Sequence, residues 1–285
     1  MTKNNIDNIN NEVTVLIFFN EMTGTITSLL DTYLSLNCNT LFIYKWLEHL
    51  LTFKSYFPKG MTYVSYDNFI QNTYVFDKII TSCSFLKNLN LSNIQYNKII
   101  FLDSNTITSS YYSNNNDFFK NLYNVKNKIM LSNEFNSKIL DKYNIKSYRY
   151  YHKISNKRLD CLDITNFIQE EYNSLTKKYT YRGLVNYSPH CYCSFRYTRH
   201  IQMKNIIDSL LPDYVFYENI GKLIFEYLYF NKTVYYSCKN KTFISDGLTE
   251  YFKILGINDD KDIILNNIDI SKLLFTGDEY DIYLS

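Results

Sequence analysis

Glycine and proline are scarce in this 285-residue chain, with 7 and 3 residues, and there is a single Trp. No G-x-G-x-x-G follows any apolar run, which excludes the glycine fingerprint of a dinucleotide-binding oxidoreductase. An excess of one charge is missing too. Lys+Arg 30 against Asp+Glu 28 leaves a net of +2, so no single-sign field covers the surface. The nearest thing to a basic stripe is Lys177, Lys178, Arg182, Arg196 and Arg199, which reads equally as a solvated basic face. Long apolar runs are absent: none approaches 18 residues, and the polar N-terminus Met1–Asn11 has no signal core. The six cysteines lack zinc-ligand spacing, because the one close pair, Cys191-Tyr-Cys193, is not a C-x2-C. Reduced thiols in a soluble, cytoplasmic protein are therefore expected, with no membrane span and no structural metal.

What is present in excess is Tyr (29), Phe (20), Asn, Ile and Lys. These residues have AT-rich codons, so the bias points to the source, whether virus, phage or AT-rich bacterium. Short apolar runs alternate with longer amphipathic ones. Val13–Phe19 is nearly continuous in its apolar character, as a strand buried on both faces should be. Further strands are expected at Thr40–Tyr44, Thr62–Ser65, Lys78–Ser82, Lys98–Asp103, Asn127–Leu131 and Ser147–Tyr151, with a helix at Thr25–Leu36. Ser113–Asn116 reads as a mobile loop.

A polar helical connector at Cys161–Lys178 separates a second pattern. It comprises strands at Thr180–Asn186, Tyr214–Tyr217 and Thr233–Tyr236, and helices at about Arg196–Leu211, after Gly221, and at Asp246–Leu255. Strands punctuated by helices indicate α/β architecture with parallel βαβ units. The expected organisation is two Rossmann-like domains facing a cleft, residues 1–175 and 176–285. Ligands of such sheets sit at the carboxyl ends of strands, so the loops after Phe19, Asp103, Asn186 and Tyr217 are where chemistry is sought.

The most specific word in the chain is Glu218-x-x-Gly221-x-x-x-x-Glu226, followed by a short helix, a turn and Thr-Val-Tyr-Tyr. Eight residues apart on a helix, two side chains lie about 12 Å apart along the axis, too far for one acid/base pair but suited to an extended ligand. A surface helix with one Glu near its N-cap and one in solvent is the plain alternative. The whole word resembles the donor-site signature of nucleotide-sugar glycosyltransferases of the GT-B fold with an E-x7-E motif. Two positions depart from it: the family's Gly and Pro after the helix are Asn231 and Thr233 here. The resemblance covers about twenty residues.

That resemblance implies a glycosyltransferase moving a sugar from a nucleotide-sugar donor to a hydroxyl acceptor, with retention and without a metal or other cofactor. It puts Glu218 on the donor sugar, Gly221 at the diphosphate and Glu226 on the ribose, with Asn219 beside them. Backbone N–H groups and the helix dipole make such a terminus an anion site. Arg182, Arg196 and Arg199 supply cations for the diphosphate, since the guanidinium fork fits phosphate oxygens. Gly24 could let the backbone approach the ligand closely, and Glu21 could orient an acceptor hydroxyl. Asp103 ends the strand IIFLD and should reach the same cleft, though an Asp there also caps a turn well. Ser188, His190 and His152 are weaker candidates. The acceptor is open among glycan, small molecule and modified DNA base, with DNA disfavoured by the low net charge. A non-catalytic α/β binding or virion-associated module, a degenerate transferase fold, is the alternative function.

Overall fold

The computed structural model describes residues 13–18, 23–36, 38–45, 61–88, 91–103, 105–151, 153–157, 214–217, 225, 228–229, 233–236, 246–258, 260–261, 263–276 and 278–285. Seven parallel strands form the main sheet: β1 Val13–Phe18, β2 Asn39–Tyr44, β3 Thr62–Ser65, β4 Tyr74–Ser82, β5 Ile94–Leu102, β6 Lys128–Ser132 and β7 Tyr148–Arg149. Their order is β3-β2-β1-β4-β5-β6-β7. The chain winds outward from β1 to β3, then jumps back across β1 and winds the other way, leaving a topological switch between β1 and β4. This is the Rossmann-like α/β arrangement expected from the alternation of runs.

The central strands are buried on both faces, as the unbroken apolar runs require. Val15, Leu16, Ile17, Ile79, Ile80, Ile99 and Ile100 are all fully buried. Strands β4 and β5 each start four residues earlier than their apolar runs suggest. Their N-terminal halves project beyond the partners they meet further on, since β1 joins β4 only at Lys78 and β6 joins β5 only at Ile99. There the pattern alternates between covered and exposed, and Asn97 Nδ2 donates to Asp77 Oδ1 across the pair at 2.6 Å. Polar residues in that half-solvated arm concealed the strand starts.

Helix α1, Thr23–Leu36, has six consecutive buried residues from Ser28 to Tyr33. A helix covered on one side by a sheet cannot bury six in a row, so something must cover its outer side. That cover is two segments. The chain after β7 passes over it, where Ser155 N–H donates to Asp31 Oδ1 at 3.0 Å. Beside it runs the C-terminal segment, joined by a parallel bridge between Ile154 and Leu274. Tyr280 is fully buried, 2.8 Å from Thr32 Oγ1 through its hydroxyl and packed on the rings of Tyr150 and Phe275.

Further helices are α2 Tyr66–Gln71, α3 Ser84–Asn88, α4 Asn105–Tyr112, α5 Asn116–Asn124 and α6 Glu134–Lys142. The residues expected to form a mobile loop, Ser113–Asn116, instead make a tight turn between α4 and α5. Asn115 Oδ1 caps α5 by accepting from Phe118 N–H. Asn114 is left-handed at φ 52, with its N–H on Tyr111 O and the next N–H on Ser110 O. Helix α6 ends identically: Asn144 has φ 56, its N–H meets Asp141 O, and Ile145 N–H meets Leu140 O. These are Schellman endings, in which a left-handed residue turns two N–H groups back onto the last carbonyls. Asparagine does here what glycine does more often, and all four positive-φ non-glycine residues among the described ones are Asn.

A second sheet, ordered β10-β9-β8, comprises β8 Tyr214–Tyr217, β9 Thr233–Tyr236 and β10 Ile263–Leu265. Strands β8 and β9 run parallel, β9 and β10 antiparallel. Helix α7, Asp246–Leu255, lies between β9 and β10 in sequence and ends in the same Schellman pattern, now with Gly256 at φ 71. A short helix α8, Asp281–Leu284, closes the described chain. The expected boundaries of β8, β9 and α7 agree residue for residue. The connector Cys161–Lys178, the strand Thr180–Asn186 and the helix Arg196–Leu211 lie outside the described residues.

Candidate functional site

In a parallel sheet every strand delivers its last residue to the same edge, and that edge is where this sheet brings polar side chains together. Strand β4 ends there in Ser82, followed by Cys83 and Ser84. The two serine hydroxyls share a short hydrogen bond, and Cys83 points its thiol inward to Leu102 O at 3.4 Å. Cys83 is therefore part of the packing between β4 and β5. Cys38 is similarly unsuited to nucleophilic chemistry, because burial pushes its thiol up to about 12.

Asp103, immediately after β5, sits at the centre of a hydrogen-bonded polar cluster. Oδ2 accepts from Ser132 Oγ at 3.1 Å and from Asn133 N–H at 3.0 Å, while Oδ1 accepts from Asn136 Nδ2 at 2.7 Å. Asn136 is held in turn by Thr108 Oγ1, which donates to its Oδ1 at 2.7 Å. Asn133 caps α6, accepting from Asn136 N–H at 2.8 Å. The residue as a whole is half-buried, but its carboxyl is enclosed by these donors. Burial raises it to about 6, and this outweighs the lowering by its three donors; Glu250 pushes it up slightly further.

Glu250 arrives from α7 at the same helix terminus. Its Oε1 accepts from Glu134 N–H, the first residue of α6, at 2.7 Å. Its Oε2 is buried without a hydrogen-bond partner among the described residues. Burial raises its pKa, the Glu134 N–H opposing, with Arg149 nearby also lowering it. Glu134 itself faces solvent, where Lys138 at 3.0 Å and Arg149 at 3.0 Å hold its carboxylate below the usual range. Two enclosed carboxyls and one exposed carboxylate thus surround the positive end of one helix dipole. Asp103 can keep a proton up to about pH 6, and the cluster holds neighbouring backbone in place.

Among the sequence-selected residues, Asp103 is where the strand pattern put it, at the carboxyl edge. It is one strand away from the β1/β4 switch, and both oxygens are already engaged. Gly24 falls in the first turn of α1, directly after the loop that follows β1. Glu21, Arg182, Arg196, Arg199, Glu218, Asn219, Gly221 and Glu226 lie outside the described residues, as do Ser188, His190 and His152. Glu250, Asn133 and Asn136 were not singled out beforehand. Asn133-Glu-Phe-Asn136 directly after a strand is a legible capping signal. Glu250 carried a subtler one, a carboxylate set against the aromatic pair Tyr251-Phe252. Among the described residues no group of three His, Cys, Asp or Glu could hold a metal ion, and no helix is long and apolar enough to cross a membrane. Compared with protein-family models, curated proteins and solved structures, the chain matches none of them.

Proposed function

We propose that the chain is a glycosyltransferase that moves a sugar from a nucleotide-sugar donor to a hydroxyl acceptor. The observation that carries this reading is the crossover between β8 and β9. These strands are parallel neighbours, in register from Tyr214↔Thr233 to Tyr217↔Tyr236. Between them Phe225, Leu228 and Tyr229 are helical, and Phe225 and Leu228 are buried. In sequence Glu218 comes directly after Tyr217, the last residue of parallel strand β8, and the carboxyl ends of such strands are where these units address a ligand. Glu218-x-x-Gly221-x-x-x-x-Glu226 then leads into the helix and on to β9, the order that the donor signature requires.

In this reading Glu218 orients the donor sugar, Gly221 and Asn219 sit at the diphosphate, and Glu226 holds the ribose. Arg182, Arg196 and Arg199 balance the leaving phosphates. Glu21 and Gly24, after β1, serve the acceptor side. The departing phosphate oxygen takes the acceptor proton, so configuration is retained and neither a strong base nor a metal is needed. Residues 1–175 and 176–285 form acceptor and donor domains around a cleft, in a cytoplasmic enzyme of viral or phage type. Orientation and charge stabilisation then supply most of the rate.

One observation favours a second reading, a non-catalytic binding module. Asp103, the described candidate for catalysis, spends both oxygens on fixed donors within its own fold. Donor binding separates the two. Thermal-shift measurements with UDP-, GDP-, ADP- and CMP-sugars should raise the melting temperature with one of them, and Glu226→Ala should abolish most of that rise. No shift with any donor would count heavily against the enzyme.

A further inference from the structure

We propose that the outer edge of the main sheet, from Lys138 on α6 to Tyr151 after β7, is a binding surface for single-stranded nucleic acid. This proposal does not rest on the donor-site reading. Residues 138–153 carry Lys138, Lys142, Lys146, Arg149 and Lys153 against the single acid Asp141, while the whole chain nets only +2. A local excess larger than the global one means that the rest of the molecule is slightly acidic, so this strip is where a polyanion would be drawn.

Its geometry adds a second requirement to charge. β7 is the terminal strand of the sheet, two residues long and paired only with β6 among the described residues. Lys138, Lys142, Lys146, Tyr148 and Arg149 are all exposed. Two cations of the strand segment are held beside aromatic rings: Lys146 Nζ is 5.1 Å from the centre of the Tyr148 ring, whose edge contact with Tyr283 leaves it exposed, and Arg149 is 5.4 Å from that of Tyr151. On α6, Lys142 lies 4.5 Å from the centre of the Tyr111 ring and donates to its hydroxyl. Successive strand residues face opposite ways, so the two pairs lie on the two sides of the edge. Glu134 engages Lys138 and Arg149, and Lys153 reaches Lys272 O. Lys142 and Lys146 have no ion-pair partner among the described residues.

Alternating ring and cation along a narrow ridge fits a chain that alternates base and phosphate. Bases unstacked from a partner strand can lie on tyrosine while phosphates meet lysine. A duplex keeps its bases stacked and offers nothing to the rings. A lipid surface calls for an apolar face, which this polar edge lacks.

The test is fluorescence anisotropy of labelled oligo(dT) with the full chain. Binding should tighten as salt falls, and Lys142→Glu with Lys146→Glu should weaken it by about tenfold or more. Tyr148→Ala should weaken oligo(dT) binding by roughly fivefold or more but leave an abasic strand of the same length unaffected. Circular dichroism and melting temperature confirm that each variant is folded; if the double variant is not, Lys146→Gln alone replaces it. Absence of binding at low salt would overturn the proposal, as would charge reversal without effect. So would equal binding of abasic strand and oligo(dT), or preference for duplex or for phosphatidylserine vesicles.

Discussion

The two ends of α6 carry opposite chemistry and are fastened in opposite ways. At its N-terminus, Asp103 and Glu250 arrive from other parts of the chain and accept backbone N–H groups at 3.0 and 2.7 Å, enclosed and short of water. At its C-terminus, Lys142 and the following Lys146 stand in solvent, and the helix is closed by its own backbone through left-handed Asn144. Both arrangements agree with the helix dipole. The difference is in where the partner comes from. The acidic end ties distant segments together and is inward-facing, so it serves the fold. At the basic end Lys142 donates to the Tyr111 hydroxyl, and among the described residues no carboxylate pairs with Lys142 or Lys146, so their charges remain available to something outside the molecule.

Breaking the acidic end should have the largest effect. Asp103→Ala leaves Asn133 N–H and Asn136 Nδ2 without their acceptor, and should cost about 3 kcal/mol in urea unfolding at neutral pH. A loss no larger than that of an average surface substitution would mean that water reaches these donors freely.

Titration sharpens the same comparison. Asp103 is raised to about 6 and Glu250 is raised too, so the native state holds their protons more tightly than the unfolded chain does. The extra stability that protonation of Asp103 adds is present in full below the unfolded carboxylate range near pH 4 and is lost as pH climbs through about 6, with Glu250 acting in the same direction. At about 1.4 kcal/mol per unit, Asp103 alone accounts for a decline of roughly 3 kcal/mol. Asp103→Asn should flatten it when unfolding free energy is followed between pH 4 and pH 7. Identical slopes in the two proteins would remove Asp103 as the cause.

At the other end the effect should be smaller. Asn144→Val forces a β-branched residue into left-handed backbone and should cost about 1–2 kcal/mol, whereas Asn144→Gly should cost nothing measurable in thermal unfolding. A tolerated Val would show that the turn opens without disturbing Ile145, which is buried beneath it.

The sequence made the strands of this fold legible because a parallel strand buried on both faces must be apolar throughout. β3, β8, β9 and α7 match the expected residues outright, the other expected strands among the described residues differ at their ends, and β10 was not expected. Where strands were longer than read, as at Tyr74 and Ile94, the missing residues lay in the half-solvated arm, where Asp77 and Asn97 occupy exposed positions and end the continuous apolar run. The place of Asp103 was legible from the end of its apolar run, but its occupation by Ser132, Asn133 and Asn136 was not. That depends on which strand lies beside β5, which local pattern does not encode. Glu250 was hidden for the same reason, since its partner is 116 residues away. The strand Ser147–Tyr151 was expected, but its place at the edge of the sheet was not, because strand order is not encoded in local pattern.

The burial of Tyr280 has a consequence for the order in which the chain can finish folding. Its hydroxyl partner Thr32 lies 248 residues earlier. A ribosome that has released all seven strands of the main sheet has not yet made the residue that seals the outer side of α1. Through the synthesis of more than a hundred further residues, Leu29, Leu30 and Tyr33 have the sheet on one side and an unfinished cover on the other. During that interval the nascent sheet carries an apolar opening that invites aggregation or a chaperone. The last segment of the described chain is thus a late closure, and the fold becomes safe only when it arrives.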